Sequence, residues 1–322
     1  YPRERLLLDW RENGGNFVTG IRDQGSCGSC WDFASTAAME SAILTACNLG
    51  FGVEWDLSEQ YVLSCIDDYL GYSDDCDGGL NSHALIFGVN FEMIDECCFP
   101  YQGNDNLDCS EACDDAADTN YSFQNWGTVC YSPSVTAIQD ALNNYGPVPC
   151  SFDVYEDFDT YGSGVYRHVT GEYEGGHAVL IIGYDDEGEY WIAKNSWGRS
   201  WGMQGFFKVA WDSNCDFGRN TRWVSHSGSG YGLHALMEIS NMIPETCETL
   251  TFTDRSLTEG SNIVEWEWDF EGDGIIDATG PGPHEHVFLE MGNYEPTLRI
   301  VDNLGNEDME VLCDGYYVYY GG

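Results

Sequence analysis

The sequence predicts an α+β protein in two parts: a helical half running into a β half, with a smaller all-β module behind them. Three observations predict it. Residues 30–47 place small and apolar residues at helical spacing, with Ala34, Ala37, Ala38 and Ile43 on one face. From Val148 onward the apolar segments become short and rich in β-branched and aromatic residues. Around residue 243 the pattern changes again, and Ile263-Val264-Glu265-Trp266-Glu267-Trp268-Asp269-Phe270 alternates as a half-buried strand does. A chain of 322 residues, 43% hydrophobic and 14% aromatic, has the material for two cores.

The elements follow in order. A helix is expected to open near Cys30 and run to residue 47. A second is expected over Asp56-Leu57-Ser58-Glu59-Gln60-Tyr61-Val62-Leu63-Ser64-Cys65, with Ser58 as its N-cap. Residues 97–130 read as loops, and Val135 to Asn144 as a short helix. Strands are expected at Pro149–Val154, Val179–Tyr184, Tyr190–Lys194 and Gly205–Val209.

Charge and cysteine usage narrow the class. The formal net charge is −43, and the only lysines are Lys194 and Lys208. Such a surface repels nucleic acid and anionic membranes. It also implies a preference for salt or divalent cations, which screen self-repulsion. No apolar run reaches the length of a membrane span. Fourteen cysteines without zinc-like pairing point to an oxidising compartment, hence to a secreted, extracellular protein.

The segment with the most chemistry is Gln24-Gly25-Ser26-Cys27-Gly28-Ser29-Cys30-Trp31. Only a thiolate attacks carbonyl carbon, and a helix start favours a thiolate through partial positive charge and free N–H groups. Gly28 leaves room for a substrate backbone, and Gln24 offers a side-chain N–H to an oxyanion. Asp32 stands out: a carboxylate one turn from a thiolate raises the thiol's pKa unless it points to solvent. A Cys-x-x-Cys pair is also compatible with a redox motif or half a zinc site, but neither explains Gln24 or Trp31.

This segment resembles the nucleophile region of the papain-like cysteine proteases, with Cys30 as the nucleophile. Leu57-Ser58-Glu59-Gln60, Cys76-Asp77-Gly78-Gly79-Leu80, Gly175-Gly176-His177-Ala178-Val179 and Ala193-Lys194-Asn195-Ser196-Trp197-Gly198-Arg199-Ser200-Trp201-Gly202 resemble further family segments in family order. The resemblance implies a two-lobed fold with a helical left lobe and a β-barrel-like right lobe. It implies that His177 is the base, that Asn195 holds its imidazole by the side-chain carbonyl, and that Trp197 shields that bond. It implies covalent acyl transfer, with Gln24 and the Cys30 N–H on the oxyanion and no cofactor required. His177 falls in the range of about 130–150 residues after the nucleophile, and Asn195 slightly beyond it, as a cysteine-rich insertion would cause. Disulfides Cys27–Cys76 and Cys65–Cys109 are implied, as is a substrate groove at Gly78, Gly79, Leu80, Asn81, Ser151, Gly175, Gly176, Ala178, Trp197 and Asn220. Glycine at 79 is expected because a side chain would block the substrate backbone. Asn81, Ser151 and Asn220 make the main pocket more polar than is usual in relatives. The segment Leu6-Leu7-Leu8-Asp9-Trp10-Arg11 resembles a mature N-terminus, implying removal of a signal and a pro-segment. His83, His168, His226 and His234 have no such context and read as surface or core residues.

The last part, about 246–314, resembles a PKD domain, a small Ig-like β-sandwich, through its Trp-Asp-Phe and Val-Asp-Asn segments. The division is therefore 1–242 for the peptidase and 246–322 for the module. Cys247 and Cys313 bracket its outer strands and suggest a bridge. Asp269, Glu271, Asp273 and Asp277, with Gly274 between, follow the first part of a calcium-loop pattern, although Gly280 stands where a glutamate closes such a loop; a solvated acidic hairpin is the alternative. His284 and His286 are too few to indicate zinc. Asn120-Tyr121-Ser122 is a glycosylation sequon. The tail Tyr316-Tyr317-Val318-Tyr319-Tyr320 suggests a further strand or self-association. Protein or peptide substrates are the expected partners. The competing reading is an adhesion or self-assembling protein that uses the same scaffold without catalysis.

Overall fold

The computed structural model describes residues 6–50, 55–113, 121–228, 232–241, 244–312 and 316–319. Asn120 of the sequon, Cys313 and Tyr320 lie outside the described residues. The chain divides into two compact units, one of residues 1–50 and 55–228, the other largely 229–322.

The first unit opens with strand β1 (Leu7–Asp9) and then helix α1 (Cys30–Ala46). Fourteen residues of α1 are buried, including every position from Trp31 to Leu44. Small side chains let this helix sit centrally, against helix α3 (Asn81–Asn90) on one side and the strands on the other. Helix α2 (Glu59–Leu70) begins where its cap predicts: the Ser58 Oγ accepts the Tyr61 N–H at 2.9 Å. It ends on Gly71 in the left-handed region. Helix α3 was not expected, because Gly88 and His83 interrupt its apolar pattern. Gly88 lies against Met39, whose sulfur would have to shift to admit a Cβ, which would stand 2.3 Å away.

The β half contains β2 (Asn125–Cys130), α4 (Val135–Tyr145), β3 (Val148–Tyr155), the short α5 (Glu156–Asp159), β4 (Val165–Tyr166), β5 (Tyr173–Asp185), β6 (Tyr190–Lys194), β7 (Phe206–Ala210) and β8 (Thr221–Ser225). One sheet runs β1-β5-β6-β7-β4, and β3 also pairs with β5. It is an open sheet among the described residues, so the barrel-like expectation becomes a sheet whose last strand, β4, is two residues long and parallel to β7. Strand β5 is longer than expected because it pairs β1 along one end and β3 along most of its length.

The second unit is all-β. Its strands are β9 (Leu233–His234), β10 (Met237–Ile239), β11 (Thr249–Asp254), β12 (Leu257–Thr258), β13 (Ile263–Asp269), β14 (Ala278–Thr279), β15 (His284–Val287), β16 (Gly292–Tyr294), β17 (Thr297–Asp302), β18 (Glu307–Val311) and β19 (Tyr316–Val318). The sheets β10-β11-β15 and β14-β13-β17-β18 supply a core of Phe252, Trp268, Phe270, Phe288, Leu298 and Ile300. The unit starts earlier than residue 246, because β9 and β10 pair with β12 and β11. The expected tail strand is β19, which pairs with β16 of the same unit.

The Cys27–Cys76 and Cys65–Cys109 bridges are formed. A third, Cys98–Cys113, staples the cysteine-rich insertion. The Cys247–Cys313 bridge expected from sequence is not: Cys247 is an exposed free thiol in a left-handed turn, its N–H donating to the Phe288 carbonyl.

Candidate active site

Helix α1 begins on Cys30 itself, after Ser29. The Ser29 side chain does not cap the helix, because its hydroxyl is hydrogen-bonded to that of Tyr101 at 2.7 Å. The backbones of Ala178, Trp31 and Cys30 itself favour the charged form of the thiol, against the larger effect of burial. Ala178 lies on β5 directly after His177.

His177 is 6% exposed. Its Nε2 shares a 2.8 Å hydrogen bond with the Asn195 Oδ1. That oxygen also accepts the Ser196 N–H at 2.9 Å, which fixes the carboxamide orientation. With Oδ1 as acceptor, Nε2 carries the proton, and Nδ1 is left as the unprotonated nitrogen. The Trp197 ring covers the pair, its centroid 4.8 Å from that of His177, and Phe152 flanks it from β3.

Gln24 is held at both ends of its amide. Its Nε2 donates to the Cys27 carbonyl at 2.8 Å, and its Oε1 accepts from the Ser196 hydroxyl at 2.7 Å. The second Nε2 hydrogen is thereby aimed rather than free to rotate. Sequence reading assigned no role to Ser196; its position between Asn195 and Trp197 was the available signal.

Burial pushes the Cys30 thiol up and holds His177 down near about 4. Each group alone resists charge. The start of α1 favours an anion on the sulfur.

Asp32 follows neither sequence alternative. It is 0% exposed, so it does not point to solvent. Its Oδ1 accepts from Thr36 at 2.9 Å, and burial drives its carboxyl well above the usual range, helped by the charge of Glu96. A neutral carboxyl in this turn does not oppose a thiolate.

Two of the glycines are closely packed. A Cβ on Gly28 would meet the Cys76 carbonyl oxygen at 2.5 Å, and the Gly28 N–H donates to that oxygen at 2.8 Å. A Cβ on Gly79 would meet the Trp31 ring at 2.6 Å. At both positions the loop around Cys76 and the start of α1 approach too closely for a side chain.

The groove residues fall on several elements. Ser151 on β3 stands opposite Ala178 on β5, and its N–H donates to the Arg219 carbonyl, next to Asn220. Leu80 is 53% exposed, whereas Asn81 is buried at the start of α3, its carbonyl accepting from Ser35. Gly78 adopts φ +132° and Gly175 φ +146°, both in the glycine-favoured region, and Gly176 is exposed.

A model of the papain family of cysteine proteases matches residues 6–225. The chain belongs to the papain family. A model of the PKD domain matches residues 238–312. The papain-family part is 38% identical over 208 residues to cathepsin B-like CP3 of Giardia intestinalis, covering 63% of this chain and 68% of that protein. It is 38% identical over 218 residues to pro-cathepsin H of Bos taurus and 36% over 214 residues to cathepsin L of Sarcophaga peregrina. The chain spans only 58% and 59% of the length of those two relatives. Among solved structures it is similar to the digestive procathepsin L2 proteinase of Tenebrio molitor, with a TM-score of 0.56 and 32% identity over 70% of this chain and 69% of that one.

In the PKD part, carboxylate oxygens of Asp269, Glu271 and Asp277 lie within 4.8 Å of one another. Asp273 is not in that group; its Oδ1 accepts the Ile275 N–H. Asp269 accepts the N–H groups of Gly272, Asp273 and Gly274, so it also shapes the turn. His286 Nε2 lies 2.9 Å from Glu271, and His284 Nε2 bonds the Gly280 carbonyl instead. Burial and the neighbouring Asp277 push Glu271 up to about 7. The other histidines have structural partners: His83 with Asp74, His168 with Asp157, His226 with the Ser122 carbonyl and His234 with Asp308. Among the described residues, no helix is long and apolar enough to cross a membrane.

Proposed function

We propose that this chain is a secreted cysteine endopeptidase that hydrolyses peptide bonds through Cys30, His177 and Asn195. The observation that carries the reading is the 2.8 Å bond between Nε2 of the buried His177 and the Asn195 Oδ1, closed over by the Trp197 ring. Cys30 opens α1, and the backbone of Ala178, the residue after His177, favours the charged form of its thiol.

The chemistry follows from that arrangement. Proton transfer from sulfur to His177 Nδ1 gives a thiolate–imidazolium pair. The sulfur attacks the scissile carbonyl, and the oxyanion meets the free Nε2 hydrogen of Gln24 and the Cys30 N–H. The imidazolium protonates the leaving amine, leaving a thioester acyl-enzyme. Neutral His177 then takes a proton from water, which displaces the sulfur. Asn195 keeps the ring in the tautomer both steps need, and the Trp197 ring keeps water from that bond. Secretion is supported by the disulfides and by the charge, which suits a saline exterior.

The test is a peptide digest with the wild type and Cys30→Ala. Cleavage should vanish in the variant while its circular dichroism and melting temperature persist. An epoxide that alkylates thiolates should label Cys30 and should cease to do so at mildly acidic pH in His177→Ala. Cleavage retained by Cys30→Ala would refute the assignment. Absence of both cleavage and labelling in the folded wild type would favour the non-catalytic scaffold.

For the second unit we propose a calcium ion held by Asp269, Glu271 and Asp277. The crowding that raises Glu271 is the strain a divalent cation relieves.

A further inference from the structure

The segment 24–29 carries the Gln24 carboxamide at one end and leads into Cys30 at the other. The two donors proposed for the oxyanion, the Gln24 side chain and the Cys30 N–H, therefore depend on how its ends are spaced. One side chain from a distant part of the chain touches both ends. The Tyr101 hydroxyl donates to the Gln24 backbone carbonyl at 3.0 Å and stands 2.7 Å from the Ser29 hydroxyl.

The direction of these bonds follows from the hydrogens available. A phenol has one hydrogen, and Tyr101 gives it to the Gln24 carbonyl. Its oxygen therefore accepts from Ser29, whose hydroxyl is the donor. The result is a directed chain, Ser29 to Tyr101 to Gln24, in which each bond polarises the next. Ser29 and Gln24 are both buried, so water competes little for either end. Burial pushes the Tyr101 phenol up to about 12, so it keeps the hydrogen the chain needs.

Tyr101 is itself fixed from behind. Its N–H donates to a Glu96 carboxylate oxygen at 2.6 Å. The Phe99 carbonyl accepts from the Ser58 hydroxyl at 2.6 Å, and the Gln102 N–H donates to the Gln60 Oε1 at 2.9 Å. Residues 99–102 are thereby anchored to the start of α2. The Tyr101 ring meets Phe33 edge-on in the first turn of α1, with centroids 4.8 Å apart. Ser29 is in turn tied to that turn, its carbonyl accepting the Asp32 and Phe33 N–H groups at 2.9 and 3.1 Å. Other bonds hold the segment at single points: the Gln24 N–H donates to the Ser196 carbonyl, and the Gly28 N–H to that of Cys76. Neither joins residue 24 to residue 29.

We infer that Tyr101 is a positioning residue for the oxyanion site: its hydroxyl ties the Gln24 backbone to Ser29 and so holds the Gln24 side-chain donor in register with the Cys30 N–H. The inference rests on the peptidase reading, since an oxyanion forms only if Cys30 attacks a carbonyl. Tyr101 acts through Gln24 and Ser29, and its loss should be felt in the transition state more than in substrate binding.

The experiment compares the wild type, Tyr101→Phe and the double variant Tyr101→Phe/Ser29→Ala. Each is measured for steady-state cleavage of a short peptide, for melting temperature, and for the rate at which iodoacetamide alkylates Cys30, read by mass spectrometry of the Cys30 peptide. Alkylation needs the thiolate but forms no oxyanion. Tyr101→Phe keeps the ring contact and strands the Ser29 hydroxyl without its acceptor. Its kcat should fall about tenfold with KM nearly unchanged, and its alkylation rate should match the wild type. Adding Ser29→Ala removes the stranded hydroxyl, so the melting temperature should recover while kcat stays low. A Tyr101→Phe as active as the wild type overturns the inference. So does a kcat that recovers with the melting temperature, which would mark a structural role, or an alkylation rate that falls in step with kcat, which would place the effect on the thiol. These three outcomes leave the peptidase reading standing. A folded wild type that cleaves no peptide overturns that reading and this inference with it.

Discussion

The imidazole of His177 and the carboxamide of Asn195, carried on β5 and just beyond β6, meet at 2.8 Å in a site closed by Trp197. Asn195→Ala removes the acceptor and leaves Nε2 of a buried ring unpaired. That costs about 1–3 kcal/mol, so kcat/KM should fall about ten- to a hundredfold with the fold intact. Steady-state kinetics on a short peptide check this, and a variant as active as the wild type would show that the bond does not orient the base.

Asp32 makes the peptidase unit sensitive to pH. It faces Glu96 and bonds Thr36, and Tyr101 senses its charge. Glu59, also raised well above its ordinary value by burial, faces Glu96, Glu40, Asp56 and Asp32. A carboxyl whose folded pKa is raised binds its proton more tightly folded than unfolded. Its contribution is complete below the unfolded value of about 4 and is lost as pH rises through the folded value. Stability should therefore fall between acid and neutral pH. In Asp32→Asn the melting temperature should rise at neutral pH and stay near wild type at acid pH, measured in molar salt to suppress the general charge. A parallel shift at both pH values would sink this account.

The net charge of −43 predicts a salt requirement. Self-repulsion among exposed carboxylates is screened over about 3 Å at 1 M salt against about 30 Å at 0.01 M. Calorimetry should give a higher melting temperature in molar sodium chloride than in dilute buffer, and no gain would mean that local ion pairing already offsets the repulsion.

Calcium should bind the second unit and raise its unfolding temperature. Titration calorimetry on the full chain checks it. Glu271→Gln should weaken binding at least tenfold, because one ligand charge is lost and the crowded acid is neutralised. Heat of binding unchanged in that variant would place any calcium elsewhere.

Much of the architecture was legible in local sequence. The start of α1 at Cys30, the Ser58 cap, β6 and the alternation of β13 are properties of adjacent residues, and each appears within a residue or two of its expected place. The Cys27–Cys76 and Cys65–Cys109 bridges came from family resemblance and are present. Helix α3 escaped because its glycine answers to Met39, a residue far away in sequence.

The sequence by itself determined which groups are available: a thiol at a helix start, a histidine ahead of a long apolar strand, an asparagine in an aromatic turn, and a surplus of carboxylates. Only the tertiary structure decided what each group faces. It buried Asp32 rather than exposing it, packed the Cys76 loop tightly against Gly28 and Gly79 against the Trp31 ring, and left Cys247 reduced. The reason is physical. Helix starts and strand alternation depend on neighbours a few bonds apart, whereas desolvation and close approach depend on atoms that folding brings from anywhere in the chain.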